Sequence, residues 1–219
     1  MKTTTKYPKS IKPTLPTSKL LKPGSNNKKL GWNVTARKWK GAKLFSLTLT
    51  ERATCPTSCH HWDDCYGNNM PFAHRFDHTH PDFLAKLEYE IATLCAKHKG
   101  GIVIRLHVLG DFYSVDYVSF WERMLETHET LRLFGYTAHD LDSKIGFEIS
   151  MLNKAAHDRC VIRHSQNTET TFDIDPWFAA NESFEGKSFD CPEQTGKIDS
   201  CASCGACWQV PTTVRFMSH

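Results

Sequence analysis

Seven of the nine cysteines fall into two groups, and both groups have the spacing of metal ligands. Cys201, Cys204 and Cys207 recur at three-residue intervals, and Cys191 precedes Pro192. Such short steps let three thiolates from one loop reach three corners of a cuboidal cluster, with a fourth cysteine, often beside proline, completing it. The pattern reads as a [4Fe-4S] cluster in preference to zinc, whose tetrahedral sites usually draw on paired Cys-x-x-Cys knuckles. Cys55, Cys59 and Cys65 share a second loop. Three thiolates on a four-iron cluster leave one iron without a protein ligand, an open position for substrate or cofactor. A structural zinc completed by His60 or His61 is the alternative for this loop. Cys95 and Cys160 fall at helix and strand positions and read as core thiols.

Arg105 and His107 are two apart in an extended segment, so their side chains share a face. With Gly110 and Asp111 they would line a polar pocket; ordinary hydrogen-bonded polar residues are the alternative. Arg163 adds a guanidinium whose planar fork suits a carboxylate or phosphate. Arg105, Gly110, Asp111 and Arg163 are therefore the expected cofactor-binding set. Tyr136 and His107 are the candidate catalytic groups, for proton or radical transfer. His60, His61, His74, His78 and His80 gather around the first cysteine loop, and Trp62 and Tyr66 would shield it from water.

The elements that must position these groups follow from hydrophobic periodicity. Lys43–Thr50, Ile102–Val108, Leu131–Thr137 and Arg159–Ser165 alternate or run apolar like strands. Between the last three lie helical patterns at Val115–His128 and Asp142–His157; Pro81–His98 reads as a helix before Ile102. Alternating strands and helices imply an α/β fold: a parallel sheet with right-handed crossovers, either open or curled into a partial (β/α) barrel, the second being the expectation. In parallel folds functional groups collect beyond the carboxyl ends of the strands. Here those ends hold the first cysteine loop, His107 to Asp111, Tyr136-Thr137 and Arg163 to Ser165. Residues 1–31 read as a basic, Pro- and Lys-rich flexible arm, 32–165 as the α/β core and 166–219 as an irregular cysteine-cluster segment.

The 219 residues carry a net charge of +3, which hides a split. Residues 1–50 hold twelve Lys or Arg and no acid; the rest hold fifteen basic against twenty-four acidic groups, a net of -9. A basic arm on an acidic body suggests a polyanion, with nucleic acid as the candidate partner and a solvated tail that only aids solubility as the alternative; an electron donor is expected if the centre is redox-active. No apolar run nears the ~20 residues of a membrane span, and the Lys-rich start lacks the apolar stretch of a secretory leader. A cytoplasmic chain is expected, in which thiols stay reduced and clustered cysteines favour metal over disulfide.

A three-cysteine loop after the first strand of a βα array resembles the arrangement in radical S-adenosylmethionine enzymes. The resemblance implies that the open iron is chelated by the amino and carboxylate groups of S-adenosylmethionine, with Gly110-Asp111 contacting the cofactor amine. That superfamily steps four and three residues between its cysteines; the steps here are four and six. Cys55-Pro-Thr-Ser-Cys59, Cys65-Tyr66, Gly110-Asp111-Phe112, Trp121 and Gly135-Tyr136-Thr137-Ala138 are similar to the phage gene product 88 domain family. Cys191-Pro192, Cys201-Ala-Ser-Cys204-Gly-Ala-Cys207-Trp208, Phe216 and His219 resemble its closing segment. The expectation is a phage-type iron–sulfur protein with two [4Fe-4S] clusters, acting by radical chemistry on a macromolecule in an infected or prophage-bearing host. A metal-stabilised nucleic-acid-binding protein without enzymatic activity is the alternative.

Overall fold

A computed structural model describes residues 5–166, 179–181 and 188–216. In chain order the elements are β1 (Ile11–Lys12), β2 (Lys22–Pro23), β3 (Lys43–Ser46), β4 (Arg75–Phe76), α1 (Phe83–Lys97), β5 (Ile102–Leu106) and α2 (Val115–Thr127). There follow β6 (Leu131–Thr137), α3 (Lys144–Ala155), β7 (Cys160–Gln166), β8 (Ala179–Asn181), β9 (Ser188–Asp190), the short turn α4 (Cys201–Cys204) and β10 (Thr213–Arg215). The three long helices start and stop within two residues of the periodic patterns. Ser114 caps α2 by accepting from the Tyr117 amide at 3.1 Å, and Ser143 caps α3 through the Gly146 amide at 3.0 Å. Each such cap is worth about 1 kcal/mol.

The main sheet has the order β2-β3-β5-β6-β7-β8-β10-β9, all parallel but for the antiparallel β2–β3 pair. Five strands, β3, β5, β6, β7 and β8, lie side by side in chain order. Right-handed crossovers between successive neighbours put every helix on the same face. Accordingly Leu87, Ile91, Trp121, Leu125 and Ile149 pack with Phe45, Ile104, Leu133 and Ile162 in one core. Among the described residues β2 and β9 are left as edges, so the sheet is open and no pairing closes a barrel.

The opposite face carries Leu44, Val103, Phe134 and Val161, and its cover departs from expectation. Leu30, Val34 and Trp39 from the amino-terminal side and Ala202 and Trp208 from the cysteine-rich end lie over it, with Trp39 stacked on Trp208 at 5.3 Å. The segment expected to be a flexible arm thus packs from Thr5 onward. Leu20, Leu21 and Leu30 are buried, and the Leu20 and Leu21 amides each donate to the Glu90 carboxylate at 2.9 Å. Scattered leucines among prolines have no period to betray them, yet Leu20 and Leu21 join the helix-side core and Leu30 covers the face that the helices leave bare. Residues 166–219 are likewise not irregular throughout: β8, β9 and β10 extend the sheet. The described part includes Phe216; His219 lies outside the described residues.

Candidate functional site

A cavity of about 480 Å³ opens at the carboxyl ends of β3, β5, β6 and β7. Cys55, Cys59 and Cys65 line it, as do Arg105, His107, Gly110, Asp111 and Tyr136. Of these, residues as far as 81 apart in sequence, Cys55 and Tyr136, thus meet around one space, as parallel topology requires. His60 and His61 also line it; His74, His78 and His80 do not.

The cysteine loop is held from behind. Arg75 is fully buried, and its Nε and Nη2 donate to the Glu51 carboxylate at 2.6 and 2.9 Å. Its remaining donors reach the carbonyls of Gly67, Met70 and Ala73 and the Ser10 hydroxyl. The Arg52 side chain spans the loop, from the Trp62 carbonyl at 2.8 Å to the Asn68 side chain at 2.9 Å. Burial raises the Cys55 thiol well above its ordinary pKa, with the neighbouring Asp111 adding to it, and raises Cys59 to about 11. A thiol whose pKa is raised by burial stays neutral near neutral pH, and a bound metal would have to displace its proton.

Gly110 and Asp111 form the seam between this loop and the strand ends. Gly110 has φ +82°, and a Cβ there would stand 2.5 Å from Thr54 Oγ1 and 2.7 Å from Leu49 Cβ. The Asp111 amide donates to Thr54 Oγ1 at 3.0 Å. Its carboxylate accepts from the Phe112 and Ala138 amides, both at 2.7 Å, tying the end of β5 to the end of β6. Burial raises its pKa against the pull of His139 and these amides.

His107 is buried, its Nε2 3.0 Å from the Tyr117 hydroxyl, while its buried Nδ1 has no partner. Burial, then the Arg105 charge, pushes its pKa down to about 3. The unfolded chain therefore takes up a proton near pH 6.5 that the folded chain refuses, and stability is lost as pH falls from 6.5 toward 3. By pH 5 this one group costs about 2 kcal/mol. Denaturant unfolding at pH 7 and pH 5 should show that loss in the native chain and a smaller one in His107→Gln.

A family model, gene product 88, matches residues 18–170. The chain belongs to the gene product 88 family. No curated protein and no solved structure matches it. The match takes in every residue lining the cavity from Cys55 to Ser165, so in this gene product 88 chain the cavity is built of family residues. Cys191, Cys201, Cys204 and Cys207 lie beyond the matched range. No described helix is long and apolar enough to cross a membrane.

The second cysteine group stands apart from the cavity. Cys191 follows β9, and its amide donates to the Arg215 carbonyl at the end of β10. Ser200 caps α4, Gly205 ends it at φ +66°, and the amino-terminal side grips it: the Cys201 and Ala202 amides donate to the Lys29 and Leu30 carbonyls at 2.8 and 2.9 Å. The four thiols influence one another electrostatically, and burial raises Cys201 to about 12. Arg163, expected at the cofactor, is instead buried beneath this segment. It donates to the carbonyls of Cys207, Thr212 and Val210 at 2.8, 3.1 and 2.9 Å. Alternation from Val161 aims it at the face that Trp208 covers, where carbonyls rather than ligand await it. The link that sequence reasoning missed is Tyr136: it lines the cavity while its hydroxyl bonds the Cys207 sulfur. No spacing rule joins a residue ending a central strand to a cysteine 71 positions on.

Among the described residues no group of three or more His, Cys, Asp or Glu is placed to hold a metal ion. The donor sets are all sulfur, the chemistry of iron–sulfur and zinc–thiolate sites alike. None of the nine cysteines is in a disulfide.

Proposed function

We propose that this gene product 88 protein is an iron–sulfur protein with two [4Fe-4S] clusters, built on a radical-S-adenosylmethionine-like partial barrel. Cys191, Cys201, Cys204 and Cys207 would hold one cluster. Cys55, Cys59 and Cys65 would hold the other, leaving one iron for S-adenosylmethionine. The reading is carried by one observation: three thiols of one loop line the same cavity as Gly110, Asp111, His107 and Arg105. When bound, such a pair supplies one-electron cleavage of the sulfonium and abstraction of a hydrogen atom from substrate.

The chain's own residues set the conditions. Asp111, buried and fixed by two amides, would receive the cofactor ammonium, whose charge would favour its ionised form. Gly110 keeps the backbone close enough to the cysteine loop for that approach. Tyr136, between the cavity and Cys207, would couple the two cysteine groups by its hydrogen bond. Leu30, Met70, Val108 and Leu109 give the cavity apolar walls that limit water. A cytoplasmic setting and an external electron donor belong to this reading.

Oxygen-free preparation of the full chain tests it. Iron and acid-labile sulfide are expected, and S-adenosylmethionine should shift the paramagnetic signal of the reduced protein. Zinc without iron overturns the assignment; an unchanged signal removes the cofactor from it.

A second reading, a metal-stabilised nucleic-acid-binding protein, is favoured by a separate feature. Lys6, Lys9 and Lys12 line a surface groove with His74 and with Phe72, which is 92% exposed. Lysines beside an unburied ring suit phosphate contact and base stacking on a single strand. Zinc in place of iron turns the assignment toward this reading.

A further inference from the structure

The charges around the cavity are almost all answered within the protein. Glu51 is held by Arg75 at 2.6 Å, Lys29 by Glu193 at 3.2 Å, and Asp64 lies 3.3 Å from His61. Asp111 spends its oxygens on two amides. Arg105 is the exception. Its guanidinium lies over the Tyr136 ring at 5.0 Å and the Phe134 ring at 5.8 Å, and it makes no hydrogen bond or ion pair to the described residues. Its Nε is buried without a partner. Two residues on, the buried His107 Nδ1 is also without one. Both side chains line the same cavity.

A guanidinium stays charged at any working pH and carries five donors in a planar fork. Burying such donors unsatisfied costs about 1–3 kcal/mol each, more for charged groups, so an orphan of this kind needs a reason. Tyr66, Tyr136, Cys201 and Cys207 are its nearest electrostatic neighbours, all neutral when protonated; none neutralises it. The two aromatic rings hold the plane of the fork without using its N–H groups.

We propose that the cavity binds a small molecule bearing an oxyanion, a carboxylate or a phosphate, which the Arg105 fork clamps and His107 Nδ1 contacts at its edge. About 480 Å³ is room for a ligand of metabolite size, not for a folded chain. Asp111 would repel such an anion, so the ligand would lie with its negative group toward Arg105 and Tyr136. The site stands on the unanswered guanidinium and imidazole, as they are with the neighbouring cysteines protonated.

Calorimetric titration of the full-length protein with inorganic phosphate, and separately with succinate, is the test. Saturable binding of either probe is expected; the one that binds names the anion. In Arg105→Gln that affinity should fall about tenfold or more, the loss of one charge-assisted contact, with Arg105→Lys between. Should Arg105→Gln not fold, phenylglyoxal modification of the native chain replaces it: the bound probe should protect Arg105 while the exposed Arg123 still reacts. No binding of either probe, an unchanged affinity in Arg105→Gln, or modification of Arg105 indifferent to the probe each overturns the proposal.

Discussion

Arg75→Met should cost about 3–5 kcal/mol of folding stability, the largest loss expected from any single charged-to-apolar exchange behind the cavity. The Arg75 and Glu51 side chains are 0% and 1% exposed, so removing the guanidinium leaves a carboxylate with neither water nor counter-ion. Thr5 Oγ1, which donates to Glu51 at 2.7 Å, cannot carry that charge alone. The carbonyls of Gly67, Met70 and Ala73 lose their donor in the same stroke. Arg75→Met with Glu51→Gln should recover part of the loss, because the charge goes while the orphaned carbonyls stay. Urea unfolding of the native chain, both single variants and the double variant closes that cycle. A double variant no better than Arg75→Met would mean that the carbonyl contacts, and not the ion pair, bear the energy. The damage should be local as well. Gly67 packs where a Cβ would sit 3.1 Å from Glu51 Oε1, so the loop carrying Cys65 rests on this pair. Faster alkylation of Cys65 than of Cys160 is expected in the variant.

Arg75 also marks the limit of what the sequence discloses. Helices α1 to α3 and strands β5 to β7 are legible because their apolar residues repeat at 3.6 or 2, the signature of a face that must be buried. From those elements alone the carboxyl-end rule of parallel sheets places His107, Gly110, Asp111 and Tyr136 around one space, where the structure has them. Periodicity fails where an element is too short to repeat. β8, β9 and β10 have three residues each and owe their existence to backbone pairing with neighbours far away in the chain. It fails again for cover. Nothing in Leu20, Leu21 or Leu30 says that the first two will join the helix-side core and the third will cover the bare side of the sheet. Buried charges are the least readable of all: Arg75 looks like a loop arginine and Arg163 like a ligand clamp, yet Arg75 is spent on Glu51 and the carbonyls of its own loop and Arg163 on carbonyls of a distant segment. The face on which Arg163 projects follows from alternation along β7; what waits there does not.

The two cysteine groups should respond differently to replacement, because one stands on the rim of a cavity and the other inside the core. The full chain prepared without oxygen should hold about eight iron and eight sulfide, two cuboidal clusters. Replacing Cys55, Cys59 and Cys65 together by serine should leave about half of each. These three are only partly buried and support no other element, so the thermal transition should move little. Replacing Cys201, Cys204 and Cys207 should remove the other half and lower Tm by about 10 °C, at roughly 2–4 °C per kcal/mol for a chain of this size. α4 receives the Lys29 and Leu30 carbonyls on its Cys201 and Ala202 amides, and Arg163 clasps the Cys207 carbonyl. A loosened cluster there frees the segment that carries Trp208, and with it the stacking on Trp39 and the cover over Phe134. Metal binding and folding are one equilibrium for such a segment, whereas the rim loop already has Arg75 and Arg52 to hold it. Equal falls in Tm for the two replacements would contradict this division. Iron that vanishes entirely with either set would mean a single shared centre, with Tyr136 crossing it rather than joining two.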